Sequence, residues 1–105
     1  MKTLEIIHLR LTGGGPQNLL EIVRECVGPN PGKMEVRFYR QGKLPNDFAV
    51  HIHGEGAGGE ESPSEAGIRL TCLLKDYGMV AHSVWSECCR LDGDPKNNER
   101  RERTK

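Results

Sequence analysis

The stretch Asp47-Phe48-Ala49-Val50-His51-Ile52-His53-Gly54 decides the fold. Phe48, Val50 and Ile52 alternate with Ala49, His51 and His53. Side chains on a strand change face at every residue, so this alternation predicts a strand with one apolar and one polar face. An apolar face needs a covering layer, which places helices on the Phe48 side and leaves the histidines on the other. The segment reads as a central strand.

The flanking segments supply the rest of the sheet. Upstream, residues 34–40 alternate again, with Met34, Val36 and Phe38 on one face and Arg37 and Tyr39 on the other. Gln41-Gly42-Lys43-Leu44-Pro45-Asn46 joins the two strands as a hairpin connection. Further upstream, residues 3–12 form a strand in which Ile7, Leu9 and Leu11 oppose Ile6, His8 and Arg10. Gly13-Gly14-Gly15 breaks it, and Pro16 suits a first helical position because its missing N–H costs nothing there. Leu19, Leu20, Val23, Cys26 and Val27 then recur at helical spacing, so a helix is expected over 16–27, stopped by Gly28-Pro29. Residues 29–33 are a loop.

Downstream, residues 54–61 have no periodicity and are expected to be mobile. Ser62-Pro63-Ser64-Glu65 predicts a helix start, with Ser62 as cap, Pro63 at the first position and Glu65 closing a capping box. Ala66, Leu70, Leu73, Leu74 and Tyr77 make the apolar stripe, with Ile68 and Cys72 on its flank. Gly78 stops this helix, and residues 79–86 form the last strand.

The order strand, helix, strand, strand, helix, strand predicts an α+β domain of ferredoxin-like βαββαβ topology. Four antiparallel strands in the order fourth, first, third, second carry two helices on one face. The domain spans residues 1–89. Residues 90–105 hold six basic and four acidic side chains and are expected to be a disordered tail.

Composition narrows the function. Lys and Arg together number 15, as do Asp and Glu, so no global charge pulls the chain toward nucleic acid or a membrane. The apolar share of 35% is low for a packed monomer, and the uncovered sheet face carries Ile6 and Tyr39, so a homodimer is expected. Cys26, Cys72, Cys88 and Cys89 follow no metal-binding or disulfide spacing and suit reduced thiols of a cytoplasmic protein. Cys26 and Cys72 are placed in the core by their helical spacing.

The "VRFYRQ" to "DFAVHIHGE" hairpin and the helix running into "YGMVAHSVW" resemble the dimeric α+β barrel superfamily over roughly residues 3–89. That group includes antibiotic-biosynthesis-type monooxygenases and stress-responsive barrel proteins. The resemblance implies two ferredoxin-like subunits packed sheet against sheet, with small organic molecules bound between sheet and helices. In its monooxygenase branch polar and aromatic residues surround a small aromatic substrate, for which His8, Arg37, Tyr39 and Trp85 would be the analogues.

Four histidines carry most of the candidate chemistry. His51 and His53, two apart on a strand, face one side, and His8 falls on the same face of the adjoining strand. The last strand is ambiguous, since Val80, His82 and Val84 oppose Met79, Ala81, Ser83 and Trp85. A histidine under the helices needs a buried partner, which favours His82 on the open face too. His8, His51, His53 and His82 would then form a candidate divalent-metal set, neutral imidazole being a common ligand. The plainer alternative is that they are amphipathic fillers or interface hydrogen bonders.

Arg37 and Tyr39 can recognise a carboxylate or a ring, or simply solvate an edge strand. The three glycines before the first helix lack the Lys-Ser/Thr of a phosphate loop and read as a tight turn. Three functions are therefore carried forward. The first is a homodimeric module binding a small ligand at the sheet face or in the cavity between sheet and helices, with His8, Arg37, Tyr39, His51, His53 and Trp85 as candidate residues and without a cofactor. The second is a cofactor-independent oxygenase-like enzyme, and the third a divalent-metal binder.

Overall fold

The computed structural model describes residues 2–13, 15–28, 34–55 and 63–92. The expected loop 29–33, nearly all of the 54–61 segment and most of the charged tail lie outside them. Strand β1 (Lys2–Leu11) is followed by helix α1 (Leu19–Val27), strands β2 (Glu35–Arg40) and β3 (Asp47–Glu55), helix α2 (Glu65–Leu74) and strand β4 (Gly78–Ser86). The strands form one antiparallel sheet in the order β2-β3-β1-β4, which is the ferredoxin-like arrangement.

Alternation places the core. Ile7, Leu9 and Leu11 of β1 and Val50 and Ile52 of β3 point to one side, where they meet Leu19 and Val23 of α1 and Leu70 and Leu74 of α2. Ile7 and Leu70 are fully buried. Burying such a side chain contributes about 1.5–3 kcal/mol, so this one layer holds sheet and helices together. Phe38 stacks on Phe48 at 5.5 Å between centroids and extends the same layer toward β2.

Several boundaries differ from those expected. Helix α1 begins at Leu19 rather than Pro16, with Asn18 as its cap residue. Gly13 and Gly15, both at positive φ, carry the turn out of β1. Leu20, expected in the apolar stripe, is exposed. Strand β3 continues through Gly54 and Glu55. Helix α2 is capped by Ser64, whose hydroxyl accepts from Gly67 N–H at 2.9 Å, two residues later than the expected cap at Ser62, which lies outside the described residues. Cys72, expected in the core, is exposed on α2, whereas half-buried Cys26 does pack against the core.

Candidate functional site

The uncovered face of the sheet can be read as rows of directly paired residues. One row runs Trp85, Leu4, His53, Glu35. The next is Ser83, Ile6, His51, Arg37, followed by Ala81, His8, Ala49, Tyr39. A fourth holds Met79, Arg10 and Asp47. Paired residues share a face, so His8, Arg37, Tyr39, His51, His53 and Trp85 all lie on this side. The alternation of β1, β2 and β3 anticipated all of these but Trp85, whose strand was ambiguous in the sequence.

His82 does not. It pairs with Ile7 and so points beneath the helices. The expectation of an open-face His82 rested on the lack of a buried partner, and β1 supplies one. Glu5 is 5% exposed on the core side of β1, and its Oε2 lies 2.6 Å from His82 Nε2. A carboxylate oxygen accepts, so Nε2 donates and Nδ1 is left for the Thr71 hydroxyl at 3.1 Å. The other Glu5 oxygen accepts from Ser64 N–H at 3.1 Å. Hydroxyl, imidazole and carboxylate stand in line here as in a nucleophilic site. None of the clefts described below is lined by them, and the line serves as a latch between β1, β4 and α2.

This geometry also divides the four-histidine metal set. His82 is separated by the sheet from His8, His51 and His53. Among the described residues no group of three or more His, Cys, Asp and Glu is arranged to hold a metal ion.

On the open face the side chains form two clusters. At one end Asp47, nearly buried, takes Arg10 Nε at 3.1 Å and lies 3.4 Å from His8 Nε2. The Arg10 hydrogen bond lowers the Asp47 pKa against the opposing effect of burial, and the Arg10 charge and His8 add to the lowering. Beside it, Tyr39 and His51 rings are 4.5 Å apart, and His53 is 6.3 Å further along. Burial first, and the neighbouring His53 second, lower the His51 pKa, which favours the neutral imidazole. On β2, Arg37 Nε donates to Glu35 at 2.8 Å, so the two charges hold each other.

The other end opens into a cleft of about 470 Å³ lined by Leu4, Glu35, His53, Trp85 and Ser86. Trp85 is 58% exposed, and its indole N–H donates to Ser83 Oγ at 2.9 Å, which sets the ring's orientation. His53 Nε2 and Ser86 Oγ are buried with no hydrogen-bond partner. An orphaned buried polar atom costs about 1–3 kcal/mol. His53 belongs to the open face, whereas Ser86 pairs with Thr3 and turns its hydroxyl to the helix side. A second groove of about 370 Å³ lies between α1 and β2, lined by Leu20, Val23, Val27, Val36 and Phe38. Among the described residues it has no orphaned group.

Sequence reasoning missed Glu5, Asp47, Thr71 and Ser64. Glu5 had a visible signal, since it shares the parity of Ile7, Leu9 and Leu11 and is a charge on the core side. No helix among the described residues is long and apolar enough to cross a membrane. Comparison with family models, with curated proteins and with solved structures finds no match for this chain.

Proposed function

We propose that the protein is a small-ligand binding module whose site is the open-face cleft between Trp85 and His53. The observation that carries this reading is the unbonded, buried Nε2 of His53, a residue that lines a cleft together with Leu4 and an oriented indole. A planar ligand lies against Trp85 and Leu4, and its polar edge recovers the hydrogen bond that His53 lacks once the ring turns toward it. Glu35 is engaged by Arg37 and shapes the rim rather than seeking a cation.

The protein acts as a homodimer in the cytoplasm, with the subunit fold, but not the sheet-to-sheet pairing, of the dimeric α+β barrel superfamily. The ferredoxin-like order supports the kinship. The exposed Met79, Tyr39 and Trp85 support self-association, and four free cysteines suit a reducing compartment.

Trp85 is the only tryptophan, so its fluorescence reports on the cleft directly. Titration with a library of small aromatic and heteroaromatic fragments should quench or shift that emission for some members. His53→Ala should weaken those members by about 1–2 kcal/mol, the worth of one hydrogen bond. A library that leaves the emission unchanged, or quenching indifferent to His53, would refute the assignment.

A second reading, a cofactor-independent oxygenase-like enzyme, draws on His51. An imidazole kept neutral beside Tyr39 is in the form a general base requires.

A further inference from the structure

We infer that two copies of this chain join along β4, edge to edge and antiparallel, so that the sheet continues through eight strands. The inference gives a geometry to the homodimer proposed above and rests on that element of the reading.

The two edges of the sheet are unlike. Strand β2, Glu35–Arg40, carries Glu35, Arg37 and Arg40 among six residues, the charge that discourages edge pairing. Strand β4, Gly78–Ser86, reads Gly-Met-Val-Ala-His-Ser-Val-Trp-Ser. It is nine residues long with no Lys, Arg, Asp, Glu or Pro, and among the described residues its ladder partner is β1 alone. Every second residue of such a strand turns its N–H and C=O outward. An uncharged edge of this length is a template for another strand.

The sequence of β4 is compatible with itself. An antiparallel register centred on His82, the midpoint, pairs all nine residues. Met79 then stands opposite Trp85 of the second copy, Val80 opposite its Val84, and Ala81 opposite its Ser83. No like charges oppose one another. The Met79–Trp85 pair joins a thioether to an indole, and both are now exposed, at 69% and 58%.

The helix layer supplies an independent indication. Thr71 of α2 touches His82 of β4, which marks the flank of α2 that faces this edge. Ile68 lies one turn from Thr71 and Cys72 one turn from Ile68, so both sit on or beside that flank. Ile68 is 50% exposed and Cys72 is exposed. A two-fold axis through His82 runs α2 antiparallel to its copy, bringing Ile68 of both subunits to the seam. The Lys75 end of each helix then meets the Glu65 end of the other. Sheet-to-sheet packing would instead bury the Arg10–Asp47 and Arg37–Glu35 pairs and His8, at a desolvation cost that the β4 edge avoids.

The edge dimer leaves both open faces in solvent. It places Met79 of the second copy at the end of the row Trp85, Leu4, His53, Glu35, so each cleft gains a wall from its partner.

The test compares amide hydrogen exchange of the wild-type chain at about 5 μM and about 500 μM, with the oligomeric state followed by sedimentation. A dimer is expected at the higher concentration, with outward-facing β4 amides slowed about tenfold or more and β2 amides unchanged. Ile68→Lys and the double variant Ala81→Lys/Ser83→Lys should each weaken dimerisation about tenfold or more while circular dichroism stays unchanged. A monomer at both concentrations, or a dimer whose β4 amides exchange as in dilute solution, overturns the inference. Fragment quenching of Trp85 in the monomeric Ile68→Lys variant, whose substitution lies outside the cleft lining, is read separately, so failure of the edge dimer and failure of the cleft are distinguishable.

Discussion

His82 Nε2 lies 2.6 Å from Glu5 Oε2, on the opposite side of the sheet from His8, His51 and His53. The contact joins the two strands that flank the α2 end of the fold and leaves three imidazoles, not four, on the open face. It also substitutes for a capping box. In that motif a glutamate three residues after the cap accepts from the cap N–H. Here residue 67 is glycine, and Glu5 accepts from Ser64 N–H across the layer.

The Glu5–His82 contact should therefore be energetically coupled. Glu5→Gln and His82→Ala are each expected to lower stability by about 1–3 kcal/mol, with a double variant losing less than the sum. Urea unfolding of the four proteins measures the coupling. Additive losses would show that the two side chains do not act together.

Gly67 makes room for that carboxylate. A Cβ at this position would overlap the Glu5 carboxyl oxygens. Alanine normally favours a helix over glycine by about 1 kcal/mol. Gly67→Ala should nonetheless destabilise this protein, and should become neutral or stabilising in a Glu5→Ala background. Thermal unfolding of the two pairs reads the change of sign.

His51 should titrate below the ordinary histidine value of about 6.5. The lowered value means that the unfolded chain binds the proton more readily. The His51 contribution to stability is thus present above the unfolded value and is lost as pH falls from there through the folded value. Substituting His53 by alanine removes the smaller cause and should move the midpoint part of the way back up. Proton resonances of the imidazole ring follow this directly, and an unchanged midpoint would leave burial as the whole cause.

Asp47 gives the acid limb. Its pKa is lowered first by the Arg10 hydrogen bond, so its contribution holds above the unfolded carboxylate range and is lost as pH falls through the folded value. Asp47→Asn should lower stability at neutral pH, where the carboxylate contributes, and flatten the decline in the acid range, so that the two proteins converge as pH falls through the folded value. Denaturation midpoints across an acid series separate the two proteins.

The residues explain how much could be read in advance. Phe48, Val50 and Ile52 fix the sidedness of β3 because a half-buried strand must alternate, and β1 and β2 follow the same rule. That was enough for the strand order and for the placement of His8, Arg37, Tyr39, His51 and His53, but not of Trp85. Strand β4 defeats the rule, since both of its parities mix small, apolar and polar side chains. Its sidedness is set by Glu5, 77 positions away in the chain from His82. The orphaned His53 Nε2 and the cleft depend on packing between strands, which no local pattern records.

The most direct test of the account is backbone and indole chemical-shift mapping with a fragment that quenches Trp85, added up to about 1 mM. The account predicts shifts clustered at Leu4, Glu35, His53 and the Trp85 indole N–H, with the groove between α1 and β2 unaffected. Shifts confined to Leu20, Val27, Val36 and Phe38, with Leu4 and His53 unmoved, would contradict it.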